Sequence, residues 1–281
     1  MLAIALGLAA SLTWGTADFV GGLQARRLPV VAVVLGSQLS GLVLVVVVAA
    51  ARGDALPTAH HFLLFSALSS LGGIVGLTAF YKGLSIGAMG VVAPLSSLAA
   101  VIPVTVGVAT GDRPSVIQGV GVAIAIAGVI LASREATDEA EKSRPISKGV
   151  GLALISAVGF GCFFLAIDRA SDQDVLWAVV VNRTVSCALL GAALAITRPQ
   201  IGLKPRDMRI LAFVGVMDTA ANGLFALAAT KGLVSVVAVL ASLYPVITAV
   251  LARVVLQERL HKVQRAGAIA ALAGVALISA G

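Results

Sequence analysis

Ten long apolar stretches divide this chain, and they constrain its fold more than any other feature. A helix needs about 20 mostly apolar residues to cross the hydrocarbon core of a bilayer. Backbone polar groups in lipid must be satisfied within a segment, so each stretch is predicted to be helical. We therefore predict an all-α membrane protein with ten transmembrane helices. The stretches cover roughly residues 2–22, 30–51, 62–81, 86–109, 114–133, 149–168, 175–197, 208–229, 233–255 and 263–280.

One long polar segment, residues 134–148, separates two halves that resemble each other. The chain is 59% hydrophobic and 12% charged, and this segment holds four acidic and four basic residues without an apolar stripe, which predicts a flexible aqueous linker. Shifting the chain by 144 to 149 residues aligns rare polar residues in the same order, which chance does not readily produce. We predict a first repeat at 1–133 and a second at 149–281. The aligned residues include Lys82 with Lys231, Asp112 with Glu258, Arg113 with Arg259, and Gln118 with Gln264.

Basic residues are distributed unequally between the two predicted sides of the membrane. Fifteen lie on the side of the linker, four lie on the other side, and Arg183 lies inside a helix. The bias of short loops toward Lys and Arg on the inner side predicts a multi-pass protein of the cell (plasma) membrane with a cytoplasmic linker and both termini outside. Because each half has five crossings, the two repeats must insert in opposite orientations. The net charge of +7 is accounted for by these loops, and no basic cluster resembles a nucleic-acid surface.

The sequence shows no motif for a cofactor, a metal or a catalytic site. Cys162 and Cys187 lie in separate apolar stretches, without the spacing of a metal site, and are interpreted as packing residues. Neither a P-loop, nor a dinucleotide fingerprint, nor a Ser/His/Asp arrangement is recognisable. We therefore predict no cofactor, no metal ligand and no enzymatic activity.

The first stretch contains an acid, Asp18, one helical turn beyond Trp14. A rise of about 1.5 Å per residue places Asp18 roughly 24 Å from the outer end, near the inner face. An acid in a membrane span is costly and normally faces protein or water at a functional place. Two interpretations stay open: a residue of a functional site, or an interfacial acid that pairs with Lys82 or Arg26.

Polar residues of three further stretches are predicted to meet near the middle of the membrane. Gln38 and Asn182 occupy matching places in the two halves, which indicates two amides facing a shared central space. Arg183 lies about 12 Å from the outer end of its helix and Asp218 about 15 Å from the inner end of the next, so their depths nearly coincide in a core about 30 Å thick. Asn222 follows Asp218 by one turn and faces the same way. We expect an Arg183–Asp218 ion pair, which is either part of the site or purely structural.

Aromatic side chains complete the predicted site. A ring in a membrane span more often faces lipid or core, but several rings together can line a pocket. The candidates for substrate binding or coupling are Trp14, Asp18, Gln38, Tyr81, Phe160, Asn182, Arg183, Asp218, Asn222 and Tyr244.

Small residues and prolines predict how the helices pack. Gly72 and Gly76 let another helix approach the third stretch closely. Prolines inside the fourth and ninth stretches, Pro94, Pro103 and Pro245, predict kinks. Helices 5 and 10 each present three small residues on one face, which packs either between these helices or against another subunit, as in a homodimer. These residues are Gly121, Ala125 and Gly128, and Gly267, Ala271 and Gly274.

Several short motifs, taken together, resemble the ten-helix members of the drug/metabolite transporter superfamily, which are built of two EamA-type repeats. The resemblance covers essentially the whole chain. The first repeat departs from the pattern at Asp112-Arg113-Pro114 and lacks the Tyr-Pro of the second. The motifs are Trp14-Gly15, Lys82-Gly83-Leu84, Ser96-Ser97-Leu98, Lys231-Gly232-Leu233, Ser242-Leu243-Tyr244-Pro245-Val246, Gln257-Glu258-Arg259-Leu260, and Gln264 with Gly267 and Gly274-Val275.

The resemblance implies a secondary transporter of a small organic metabolite or drug-like compound, an exporter that works by alternating access. Helices 1–4 and 6–9 would line a central cavity, helices 5 and 10 would be scaffold, and the partners would be the bilayer and a small-molecule substrate. Asp18 and Asp218 are the candidates for proton coupling. Two alternatives remain. A membrane-embedded enzyme or lipid-handling protein would need a cluster of His, Glu or Asp at a membrane face, and a uniporter or channel-like facilitator would need a continuous polar ring.

Overall fold

The computed structural model describes residues 2–102, 106, 115–132, 146–171, 173–198, 202–231 and 243–280. Within those ranges the chain forms ten α-helices and no strand, which confirms the predicted all-α membrane fold. We number the helices in chain order as α1 (Leu2–Gln24), α2 (Val30–Arg52), α3 (His60–Ile86), α4 (Met89–Ser96), α5 (Val116–Ala132), α6 (Ile146–Ser171), α7 (Val175–Thr197), α8 (Pro205–Lys231), α9 (Tyr244–Val255) and α10 (Lys262–Ala280).

Six of these helices are long and apolar enough to cross a membrane: α1, α2, α3, α6, α7 and α8. The other four contain shorter apolar segments within the described residues. Parts of the predicted stretches 86–109 and 233–255, namely 103–105, 107–109 and 233–242, lie outside the described residues. So do residues 134–145 of the predicted linker, whose last three residues, 146–148, belong to α6. Elsewhere the predicted stretches fall within about five residues of the observed helix ends.

The helices of one repeat pack mainly on helices of the other. Helices α1 to α5 of the first repeat correspond in order to α6 to α10 of the second. The contact between α1 and α8 therefore has an equivalent between α6 and α3, and the contact between α2 and α8 has an equivalent between α7 and α3. The contact of α1 with α9 is likewise matched by α6 with α4, while α2 with α7, α4 with α9 and α5 with α10 pair each helix with its own counterpart. Exchanging the two repeats therefore leaves these pairings unchanged, as a two-fold relation requires. The fold is two inverted five-helix repeats.

Glycines set the closest approaches between the repeats. A Cβ at Gly159 of α6 would lie 2.5 Å from the nitrogen of Gly76 and 2.9 Å from the oxygen of Gly72 on α3. The predicted close contact at Gly72 and Gly76 is therefore present, and its partner is α6. Between α2 and α8, a Cβ at Gly215 would overlap the carbonyl oxygen of Ser37, so a larger residue would push these two helices apart.

The small-residue faces of α5 and α10 pack on each other within one chain. A Cβ at Gly121 would lie 2.8 Å from the Gly274 oxygen, and one at Gly274 would lie 2.5 Å from the Ala125 nitrogen. Of the two predicted uses of this face, contact between the two helices is the one observed. A homodimer stays a prediction, and it would have to use the outward surfaces of these helices.

One of the three prolines that were predicted to kink helices lies inside α4. Pro94 lies inside that helix, which ends at Ser96 and continues as a 3₁₀ helix at Ser97–Ala100. Pro94 has no N–H to donate to the Gly90 oxygen, so one backbone hydrogen bond of α4 is missing. Pro245 lies in the first turn of α9, where its missing N–H breaks no helical bond, and Pro103 lies outside the described residues.

Candidate functional site

Facing sides of α1 and α8 bring polar and aromatic residues of the two repeats together. On α1, Trp14 and Asp18 are one turn apart and share a face. On α8, Asp218, Asn222 and Phe225 are spaced by four and three residues and also share a face. The two helices pack against each other, with Trp14 beside Phe225 and Asp18 within electrostatic range of Asp218.

The guanidinium of Arg183 is the centre of the polar contacts. Its Nη2 donates to the Asp218 carboxylate at 2.5 Å, and its Nη1 donates to the side-chain oxygen of Gln38. Arg183 is only 7% exposed, whereas the Asp218 side chain keeps 29% of its surface open. The ion pair predicted from the matching depths is therefore present, and Gln38 extends it to α2. One arginine thus joins α2 of the first repeat to α7 and α8 of the second.

Close helix approaches place these groups within reach of one another. The α2–α8 contact at Gly215 and Ser37 lies one turn before Asp218 on α8 and one residue before Gln38 on α2. One turn from Ser37 on α2, a Cβ at Gly41 would lie 2.5 Å from Oγ1 of Thr219 on α8 and 3.4 Å from Cζ of Arg183. The absence of a side chain at Gly41 therefore lets α8 and the arginine approach α2 closely.

Asp18 is buried beside this ion pair without a counter-ion. It is 8% exposed and has no hydrogen-bond or ion-pair partner among the residues that the structure describes. The alternative of an interfacial pair with Lys82 or Arg26 is not observed: Lys82 is exposed, and Arg26 donates to the Leu84 carbonyl oxygen at 3.4 Å. We call Asp18, Gln38, Arg183 and Asp218 the central polar cluster.

Three rings from three helices form an aromatic cluster one turn from Asp18. The Trp14 ring lies 6.0 Å from Phe225 and 6.3 Å from Tyr244, centroid to centroid, in tilted and edge-on geometries. All three side chains are half-buried, so their faces keep some open surface. We call Trp14, Phe225 and Tyr244 the aromatic triad.

Tyr81 approaches the central polar cluster from α3. Its ring lies over Gly21, where a Cβ would be 2.6 Å from the tyrosine oxygen, and the residue is 2% exposed. Its hydroxyl is within electrostatic range of Asp18, Asp218 and Arg183. Seven of the ten predicted site residues therefore lie in the central polar cluster, in the aromatic triad or beside the two. They are Trp14, Asp18, Gln38, Tyr81, Arg183, Asp218 and Tyr244.

The other three predicted residues have different surroundings. Asn182 turns toward α3, where its Nδ2 donates to Ser69 Oγ at 2.7 Å and its backbone oxygen accepts from Ser70 Oγ at 2.8 Å. The two amides at matching sequence positions thus do not face one shared space. Phe160 packs edge-on against Phe80 in the α3–α6 contact.

Asn222 is exposed, and its Nδ2 donates to the Asp218 backbone oxygen at 2.7 Å. It shares a face with Asp218, as predicted, but its side-chain amide bonds to its own helix and not to the carboxylate.

One inter-repeat contact was not among the predicted site residues. The Glu258 carboxylate, in the α9–α10 connection, accepts hydrogen bonds from the N–H groups of Met89 at 3.0 Å and Gly90 at 3.1 Å. Those are the first two residues of α4, whose N-cap residue, Ala88, has no capping side chain. An acid is favourable there because the first N–H groups of a helix are otherwise unsatisfied. The available signal was the alignment of Glu258 with Asp112.

Ten apolar helices in two inverted halves, with ionisable residues buried between the halves, define a polytopic membrane protein of the transporter class. The model of the EamA-like transporter family matches residues 1–134 and again residues 147–280. The chain belongs to that family, and thus to a family of membrane transporters of small solutes.

Comparison with solved structures supports the same fold. A crystal structure of another protein superposes with a TM-score of 0.64 at 18% sequence identity, covering 98% of this chain and 95% of that one. At that identity the likeness shows the fold alone. No curated protein matches the chain.

Proposed function

We propose that this protein is a secondary transporter that exports a small organic metabolite or drug-like compound by alternating access. The observation that supports this proposal best is the Arg183–Asp218 ion pair of the second repeat, which bonds to Gln38 of the first repeat and has an unpaired acid of that repeat, Asp18, beside it. A buried ion pair contributes little to stability compared with apolar residues of the same volume. Ionisable groups inside a membrane therefore indicate a functional site. Here they lie where two repeats meet that would move relative to each other during transport.

Each repeat supplies part of the proposed site. Asp18 and Gln38 come from the first, and Arg183 and Asp218 come from the second. A movement of residues 1–133 relative to 149–281 would change the distances within the central polar cluster. The site could then differ in affinity between the two states, as alternating access requires.

A metabolite-release screen tests the proposal. Cells with the wild-type protein, the Asp218→Asn variant and no protein would be compared by mass spectrometry of the medium. Asp168→Asn is the matched control, because it makes the same chemical change at an exposed position of α6. We expect at least one compound to be released by the wild type and the control, and roughly tenfold less by Asp218→Asn at equal amounts of folded protein.

Equal release by Asp218→Asn and the wild type would remove this acid from the mechanism. Release that only follows the compound's own gradient in reconstituted vesicles, without any ion dependence, would favour the facilitator instead. A product chemically altered from the added compound would favour the membrane enzyme.

We also propose that the linker is cytoplasmic, in the cell membrane, on the basis of fifteen against four basic residues. A reporter fused after residue 281 should then be active outside the cytoplasm. Activity only in the cytoplasm would reverse the orientation and, with it, the assignment of export.

A further inference from the structure

We infer that the substrate is an organic cation, an ammonium group on an apolar body, whose charge is held at Asp18 and whose body lies against the aromatic triad. This inference rests on the proposed function and names the class of substrate. It starts from the charge of the site: the central polar cluster has two carboxylates and one guanidinium, and that guanidinium is already bonded to Asp218 and Gln38.

The elements packed around Asp18 supply no second cation among the described residues. Helix α1 packs against α8, α9 and α3. The titratable groups that face Asp18 from those helices are Asp218, Tyr244 and Tyr81. A carboxylate that is 8% exposed and lacks a partner is expensive in a membrane protein. A bound cation would remove that cost, whereas a bound anion would add to it.

The aromatic triad provides the second observation, independent of charge. Trp14 lies one turn from Asp18, and Phe225 and Tyr244 lie 6.0 Å and 6.3 Å from its ring. Aromatic faces attract an ammonium group within about 6 Å, tryptophan most strongly, and quaternary ammonium ligands are recognised in this way. An acid and three half-buried rings on adjoining turns therefore suit one molecule with a cationic head and an apolar body.

The chain has two tryptophans, which makes the site directly observable. Trp177 lies in a separate apolar cluster of α2 and α7, and its ring N–H has no hydrogen-bond partner among the described residues. The Trp177→Phe variant leaves Trp14 as the only tryptophan. Its fluorescence would be titrated in detergent with three probes of similar shape: benzyltrimethylammonium, benzyl alcohol and benzylsulfonate.

We expect a saturable change in Trp14 fluorescence with the cation and none with the anion over the same concentration range. Adding Asp18→Asn should weaken cation binding at least tenfold, while Asp168→Asn should leave it unchanged. Lowering the pH should weaken cation binding when Asp18 is present and not in the Asp18→Asn variant, because protonation removes the charge. Gel filtration would establish that each variant is monodisperse.

Saturable binding of the anion, or equal cation binding in the Asp18→Asn variant, would overturn the inference. If Asp18→Asn does not fold, the Trp14→Leu variant replaces it, and binding is measured by calorimetry. This variant keeps the acid and should weaken binding of the cation at least threefold. An unchanged affinity would overturn the inference. The inference and the proposed function can fail separately. A release screen that yields only anions would refute the cationic substrate and leave the proposed transport standing. Cation binding without any transport would refute transport alone.

Discussion

The central polar cluster and the α5–α10 contact both join the two repeats, but they use opposite kinds of residue. Between α5 and α10, Gly121 and Gly274 let backbones touch, and the atoms nearest to these glycines are backbone atoms and the Leu277 Cβ. In the central polar cluster, Arg183 joins Gln38 and Asp218 through side-chain hydrogen bonds. Direct backbone contact fixes one geometry, whereas long polar side chains can exchange partners while their helices move. On this basis we propose that α5 and α10 are the scaffold and that the central polar cluster belongs to the part that moves.

The largest expected effect comes from removing the arginine alone. Arg183→Gln leaves the half-buried Asp218 carboxylate without its cation, which costs up to about 3–5 kcal/mol of stability. The double variant Arg183→Gln/Asp218→Asn should recover most of that stability, because no charge is left unpaired. Transport should remain lost in both. Thermal unfolding and vesicle transport would be measured together, and transport restored in the double variant would show that the pair is only structural.

The scaffold should respond in the opposite way. Gly121→Leu places a side chain where a Cβ already lies 2.8 Å from backbone atoms of Gly274 and Ile278, so α5 and α10 must separate. Overpacking of this kind costs about 1–3 kcal/mol. Gly119→Leu, two residues away on the same helix with open space around it, is the control. We expect lower thermal stability for Gly121→Leu but not for Gly119→Leu, and unchanged transport per folded molecule in both. If Gly121→Leu lost transport while keeping the stability of the wild type, this contact would have a role in movement.

A polar inter-repeat contact outside the central polar cluster sharpens the comparison. Glu258→Gln keeps an acceptor for the N–H groups at the start of α4 but loses the charge, a change of about 0.3–1 kcal/mol at a helix N-terminus. The neighbouring exposed residue gives the control, Arg259→Gln. We expect a small loss of stability and a change of transport rate of a few-fold in Glu258→Gln, read by unfolding and by initial rates. A rate equal to that of the control would confine this contact to the scaffold.

The smallest effect is expected at the exposed end of α2 and α7. Burial by itself would raise the pKa of the Asp174 carboxyl, but hydrogen bonds from Arg52 and from the Trp177 N–H hold that pKa below its ordinary value. A depressed folded-state pKa stabilises the protein above the ordinary Asp value, and this contribution is lost as the pH falls through the folded pKa. Asp174→Asn, still a good N-cap residue, should therefore remove part of the acid sensitivity and cost less than about 1 kcal/mol at neutral pH. Unfolding followed from pH 7 to pH 3 would show it, and a variant more acid-sensitive than the wild type would reverse the sign.

Much of the fold and part of the site could be predicted from the sequence, for identifiable physical reasons. Hydropathy locates helices because lipid imposes length and composition, and depth along a straight helix follows from a constant rise, which is why Arg183 and Asp218 were predicted to meet. The rotation of a helix about its axis depends on its neighbours, so the turn of Asn182 toward Ser69 could not be foreseen. Glu258 caps α4 by accepting from Met89 and Gly90, which precede it by 169 and 168 positions, and no local sequence pattern encodes so distant a contact.

The interleaving of the repeats has a consequence for how the chain is made. The first repeat is synthesised before its packing partners exist, since α3 needs α6, α1 needs α8 and α5 needs α10. At about 5–20 residues per second, the second half follows over roughly 7–27 s. During that interval Asp18 and Gln38 lack the arginine beside which they are finally buried. The nascent first half therefore leaves uncovered, until the second half arrives, the helix faces that the finished protein buries.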